Sequence, residues 1–121
     1  MKVNIIKENN NGIAIIHSSE ILISDVQSAL DFMMKVKYDI GHDRIILNKS
    51  AFSEDFFKLS TRLAGEILQK FINYNVKIAI VGDFSVYTSK SLKDFIYESN
   101  RGKNIFFLPD EKQAIENLSM I

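Results

Sequence analysis

The chain has 121 residues, of which 46% are hydrophobic, 25% charged and 11% aromatic. Fifteen basic residues balance fifteen acidic ones and the balance holds in each half of the chain, so no charged tail marks a nucleic-acid binder. There is no cysteine, which removes disulfides, thiolate metal sites and thiol catalysis.

The length is that of one domain, ~100–150 residues being usual, and a single α/β domain over residues 1–121 is expected. The apolar runs Ile13-Ala14-Ile15-Ile16 and Ile105-Phe106-Phe107-Leu108 are four residues each. A membrane span needs ~20. The start, Met1 to Lys7, is too polar for a signal peptide. A cytoplasmic protein that meets neither membrane nor nucleic acid is expected.

Val3 and Ile5 alternate with Asn4, the pattern of a half-buried strand. Asn9-Asn10-Asn11-Gly12 tolerates positive φ and predicts a hairpin turn, with Ile13 to Ile16 as the returning strand. Ser18-Ser19 predicts a second turn, and Ile21-Leu22-Ile23 a short third strand or extended piece. Ser24-Asp25 can cap a helix whose inner face holds Val26, Leu30, Met33 and Lys37, with Ala29 beside them. That helix ends between Tyr38 and Gly41. Arg44 to Asn48 reads as a strand buried on both faces.

Ser53-Glu54-Asp55 predicts the next cap, its acids placed where the helix dipole favours them. A long helix follows on Phe56, Leu59, Leu63, Ile67 and Phe71, widened by Leu68 and Ile72, with a break near Ser60-Thr61. Gly65 inside it predicts a close approach of backbone to sheet. Val76 to Asp83 reads as the strand at the sheet centre. A helix over Lys90 to Ser99 buries Leu92, Phe95 and Ile96, and Asn100-Arg101-Gly102 predicts a left-handed stop. Ile105 to Leu108 is the last strand, and Pro109-Asp110-Glu111 opens a final helix on Ala114, Ile115 and Leu118. Strand and helix then alternate, so the fold is α/β: a mixed, mainly parallel sheet with an N-terminal antiparallel hairpin and about four helices.

In open sheets of this kind ligands gather beyond the carboxyl ends of the parallel strands. Asn48-Lys49-Ser50, Gly82-Asp83-Phe84-Ser85 and Pro109-Asp110 leave three of those strands and should meet there, and Tyr87-Thr88-Ser89-Lys90 lies in the loop that opens the third helix. Asn48, Lys49, Ser50, Asp83, Ser85, Ser89 and Lys90 are therefore the candidate ligand-binding residues. Lys49 and Lys90 would hold an anion at the helix start, with Asp83 orienting them. The plain alternative makes Asp83, Ser85 and Ser89 turn and cap residues and leaves the lysines solvated. His17 and His42 are read as lying away from the serines of the carboxyl edge, so no Ser/His/Asp triad is expected. No metal set, catalytic residue or cofactor is expected either. Phe56-Phe57, Phe106-Phe107, Phe32 and Val36 pose a further choice: all are core, or some mark a self-association surface of a homodimer.

The order of elements resembles the sulfate-transporter and anti-sigma-factor-antagonist (STAS) fold and its SpoIIAA-like relatives. The stretches Asp43 to Ser50, Thr61 to Phe71, Ile80 to Ser85 and Asp94 to Gly102, with Asp25 to Asp31, resemble the small bacterial proteins grouped as domain of unknown function 4180. That second resemblance covers nearly the whole chain and implies no activity. The STAS likeness implies a phosphorylatable serine or threonine at the helix start after the third strand. Ser50 and Ser53 occupy that place, without the Asp-Ser-Ser-Gly-like signature. The combined expectation is a small regulatory or binding domain without catalysis, whose partner is another protein or a small anion. The alternative is an enzyme or anion-binding protein with its site at the carboxyl edge.

Overall fold

The computed structural model describes residues 1–121. Five strands, β1 (Lys2–Glu8), β2 (Asn11–His17), β3 (Arg44–Asn48), β4 (Lys77–Val81) and β5 (Ile105–Leu108), alternate from β2 onward with α1 (Val26–Met34), α2 (Leu63–Asn73), α3 (Lys90–Asn100) and α4 (Glu111–Ser119). The strands lie side by side in chain order. Only β1 and β2 are antiparallel; every other neighbour is parallel. The predicted architecture of hairpin, parallel sheet and four helices is the one observed. No helix is long and apolar enough to cross a membrane.

The hairpin turns on Asn9 (φ 50°) and Asn10 (φ 65°), the two positive-φ positions of a tight turn whose twist matches the flanking strands. Asp25 then caps α1 by accepting the Ser28 N–H at 2.8 Å, while the Ser28 hydroxyl accepts the Asp25 N–H. A π-helical turn over Lys35–Ile40 extends α1, and Gly41 closes it at φ 85°, a conformation glycine adopts at no steric cost.

Alternation along the inner strands sorts their side chains onto two faces. Ala14, Ile16, Ile45, Leu47, Ile78, Ile80, Ile105 and Phe107 face a large core shared with α1, α2 and α3. Ile13, Ile46, Ala79, Phe106 and Leu108 face a smaller one beneath α4. Arg44 ties down the end of α4 by donating to the carbonyls of Leu118 and Ile121.

Several expectations are corrected. Ile21-Leu22-Ile23 is not a strand; only Ile23 forms an isolated bridge, with Phe52. The sheet centre is β3, with β4 one place nearer the edge, and Val81 is only half-buried. The segment before α2 is a series of 3-10 turns, Lys49–Ala51, Glu54–Phe57 and Leu59–Thr61. Phe52, Phe56 and Phe57 from these turns form one aromatic cluster, with ring centroids 4.7–6.3 Å apart. Arg62 then starts α2 from φ 63°, and the Thr61 hydroxyl accepts the Leu63 N–H. Phe32, Val36, Phe57 and Phe106 are all buried, so none supplies a self-association surface. Ile72 is exposed. Gly102 is not left-handed; the device at the end of α3 is Asn100, described below.

Gly65 makes no close approach. It is exposed, and a methyl group there would meet nothing within 4 Å. Glycine in an exposed helix interior costs ~1 kcal/mol against alanine. Gly65→Ala should therefore raise stability by about that amount in chemical denaturation, and a loss would show a contact that the packing lacks.

Candidate functional site

The carboxyl ends of β2, β3, β4 and β5 lie along one edge, at His17, Asn48, Val81 and Leu108. Helices α1, α2 and α3 all pack on the same face, and the strand order never reverses. The crevice that a reversal opens in doubly wound sheets therefore has no counterpart here. The concavity arises elsewhere, where the 3-10 turns before α2 stand opposite the loop that enters α3. It is a cleft of about 710 Å³ lined by Glu54, Phe57, Lys58, Leu59, Ser60 and Val86 to Ser89, closed by Ser91 and Leu92. That volume is within the ~300–1,000 Å³ range of small-ligand sites.

Asn48 ends β3 with its side chain turned to the neighbouring strand. Its amide accepts the Ser18 N–H at 2.8 Å and donates to the Ser18 carbonyl at 2.7 Å, which extends the β2–β3 ladder one residue past the strand ends. The same amide donates to the hydroxyl of Ser50. Ser50 is exposed, whereas the Ser53 hydroxyl is buried without a partner.

Lys49 crosses the end of β4. Its stem fills the space that a side chain at position 82 would occupy: a Cβ on Gly82 would lie 2.5 Å from the Lys49 Cβ. The ammonium donates to the Asp83 carbonyl at 3.2 Å and lies 4.5 Å from the Tyr87 ring centroid, with Phe57 and Phe84 at 5.8 and 6.0 Å. Cation–π attraction holds it there; no carboxylate is within ion-pair distance. The Tyr87 ring stacks on Phe57 at 5.2 Å, and its buried hydroxyl has no partner. Burial pushes that phenol above its ordinary range, against the opposing pull of Lys49.

Asp83 folds back on its own turn. It accepts the Ser85 hydroxyl at 2.5 Å and the Ser85 N–H at 2.9 Å. Those two bonds, and to a lesser degree the Lys49 charge, hold its carboxyl below the ordinary value. Ser89 caps α3 by accepting the Leu92 N–H. Lys90 pairs with Asp94 one turn along at 2.7 Å, both side chains exposed, and that carboxylate raises the Lys90 ammonium.

The structure thus brings Lys49, Asp83 and Ser85 together, and puts Ser89 on the cleft wall. Asn48 and Ser50 engage β2 and each other. Lys90 is engaged within α3, so the two lysines serve different partners. His17 stands at the carboxyl edge after all, because β2 is parallel to β3, but it lines a hollow with Lys2, Asn4 and Glu111. His42 lies at the opposite edge, its ring against Gly12, where a Cβ would come within 2.7 Å. No group of three or more His, Cys, Asp or Glu residues is placed to hold a metal ion. The predicted site takes Tyr87 only as part of the loop that opens α3 and does not include Phe57, so it lacks their aromatic wall. Its only sequence signal is the recurrence of Phe at 52, 56, 57 and 84, which reads equally well as core.

The model of the family described as Domain of unknown function (DUF4180) matches residues 8–118, and the chain belongs to that family. No curated protein and no solved structure matches it.

Proposed function

We propose that this member of the DUF4180 family is a non-catalytic regulatory or binding domain that takes a small anionic ligand in the cleft before α3. The observation that carries the reading is the convergence of the cleft on the start of that helix. The N–H groups of Lys90 and Ser91 have no partner in the protein, and the first turn of α3 contains no acid. Unpaired N–H groups and the positive end of the helix dipole favour an anion there. Ser60, Thr88, Ser89 and Ser91 add hydroxyls, while Phe57, Leu59, Val86 and Leu92 offer an apolar wall. The ligand class is a phosphate or carboxylate attached to an apolar body.

Inorganic phosphate is the probe for the anionic part. In an amide-resolved NMR titration, the N–H signals of Thr88 to Leu92 should shift and saturate. Ser91→Glu puts a carboxylate in the first turn, which stabilises the helix and occupies the site, so its signals should no longer respond. Shifts no larger than chloride gives at equal ionic strength would overturn the reading.

A further inference from the structure

The sheet has two edges, and the chain treats them differently. At β5 the Asn100 amide accepts the Phe107 N–H at 2.7 Å and donates to the Phe107 carbonyl at 3.0 Å, which closes that edge from α3. At β1 nothing covers the strand: it runs seven residues from Lys2 to Glu8, exposed almost throughout. Val3 and Ile5 are 42% and 44% exposed. A long open edge with apolar side chains is a template for another strand.

The hairpin register determines which backbone groups β1 offers. Glu8 and Asn11 close a two-residue turn, so they exchange both hydrogen bonds, and bonded pairs then alternate along the ladder. Lys2, Asn4, Ile6 and Glu8 spend their N–H and C=O groups on β2; Val3, Ile5 and Lys7 turn theirs outward. The pattern continues across β2, where the Ser18 N–H points to Asn48 at the end of β3.

We propose that β1 pairs antiparallel with β1 of a second copy of this chain, on a two-fold axis through Ile5, joining two sheets into one. Opposite residues in an antiparallel pair share a face, so the outward-bonding residues must meet one another. With Ile5 opposite Ile5 of the second copy, Val3 meets Lys7, and the outward groups of all three residues find partners. That register places Lys2 opposite Glu8 at both ends. Moving the axis to Asn4 or Ile6 breaks both charge pairs and leaves part of each strand unmatched. Val3 and Ile5 stand opposite Ile16 and Ala14, on the face that carries α1, α2 and α3, so the two copies cover each other's exposed apolar side chains. A two-fold contact of this kind is self-complementary and closes.

Sedimentation equilibrium over a wide concentration range tests the pairing. The mass should rise from the 13.9 kDa of one chain to twice that value. Ile5→Pro removes an outward N–H that the monomer does not use, a change edge strands tolerate. It should stay at single-chain mass with an unchanged circular dichroism spectrum. Glu8→Lys should raise the dissociation constant roughly tenfold by setting like charges opposite each other. Lys2→Glu combined with Glu8→Lys should restore it, and this pair decides the matter if the proline variant does not fold. A parent that stays single at every concentration leaves the edge to a strand of some other protein and overturns the proposal. So does a dimer that a folded Ile5→Pro variant still forms, or one that the charge exchange fails to restore.

Discussion

Ile80→Ala should lower the unfolding free energy by about 2–5 kcal/mol, the range for truncating a buried aliphatic side chain to alanine. Ile80 is completely buried in β4, with Leu47 opposite on β3 and Phe107 opposite on β5. Its side chain projects into the core beneath α1, α2 and α3. Rigid neighbours on both strands oppose collapse of the cavity, so the lost transfer energy and the lost contacts add. Urea denaturation measures the effect as a lower midpoint at an unchanged slope. A loss below ~0.5 kcal/mol, the scale of ordinary surface changes, would place Ile80 outside the core.

The second large effect is expected at Asn100. Asn100→Leu keeps the size of the side chain and removes both hydrogen bonds to Phe107. A buried backbone group left without a partner costs about 1–3 kcal/mol, and Phe107 is buried. The loss should exceed that of Asn117→Leu, whose side chain makes a single bond within its own exposed helix face. The variant should also gain a tendency to aggregate, because the β5 edge would then lie open. Equal stabilities for the two variants, measured in urea, would show that water replaces the amide at no cost.

Asn100 also shows where sequence reasoning stops. Its position just before Arg101-Gly102 reads as a helix terminator, and local rules give it no other task. Its partner, Phe107, lies beyond the turn, and only the packing of α3 against β5 brings the two together. Asn48 is a similar case. Its place at the end of a buried strand marks it as a ligand-binding residue, but the neighbour it holds, Ser18, is thirty positions away in the chain. An asparagine amide can pair with backbone or ligand alike; which one it meets depends on the neighbouring strand.

The aromatic residues divide in the same way. Their spacing before α2 suits a helical stripe, and the break near Ser60-Thr61 is legible. The 3-10 turns are not: no local spacing shows that Phe52, Phe56 and Phe57 end in one cluster. The cleft beside them follows from that detour and from the stacking of Phe57 on Tyr87. Gly65 and Gly82 make the contrast within one residue type. Gly65 looks like a contact point and faces open space; Gly82 looks like a turn residue and makes room for the Lys49 stem.

The features legible before folding are those that depend on near neighbours in the chain. Alternation set the two faces of each inner strand, the asparagine pair set the hairpin, and Asp25, Ser89 and Asp110 set three helix starts. Strand and helix in alternation set the parallel sheet. Packing between distant segments settles which edge is sealed and which is open, where the concavity lies, and what Lys49 touches. Those depend on pairs of residues far apart in the chain, whose contact has no local energy until the sheet and its helices have already packed.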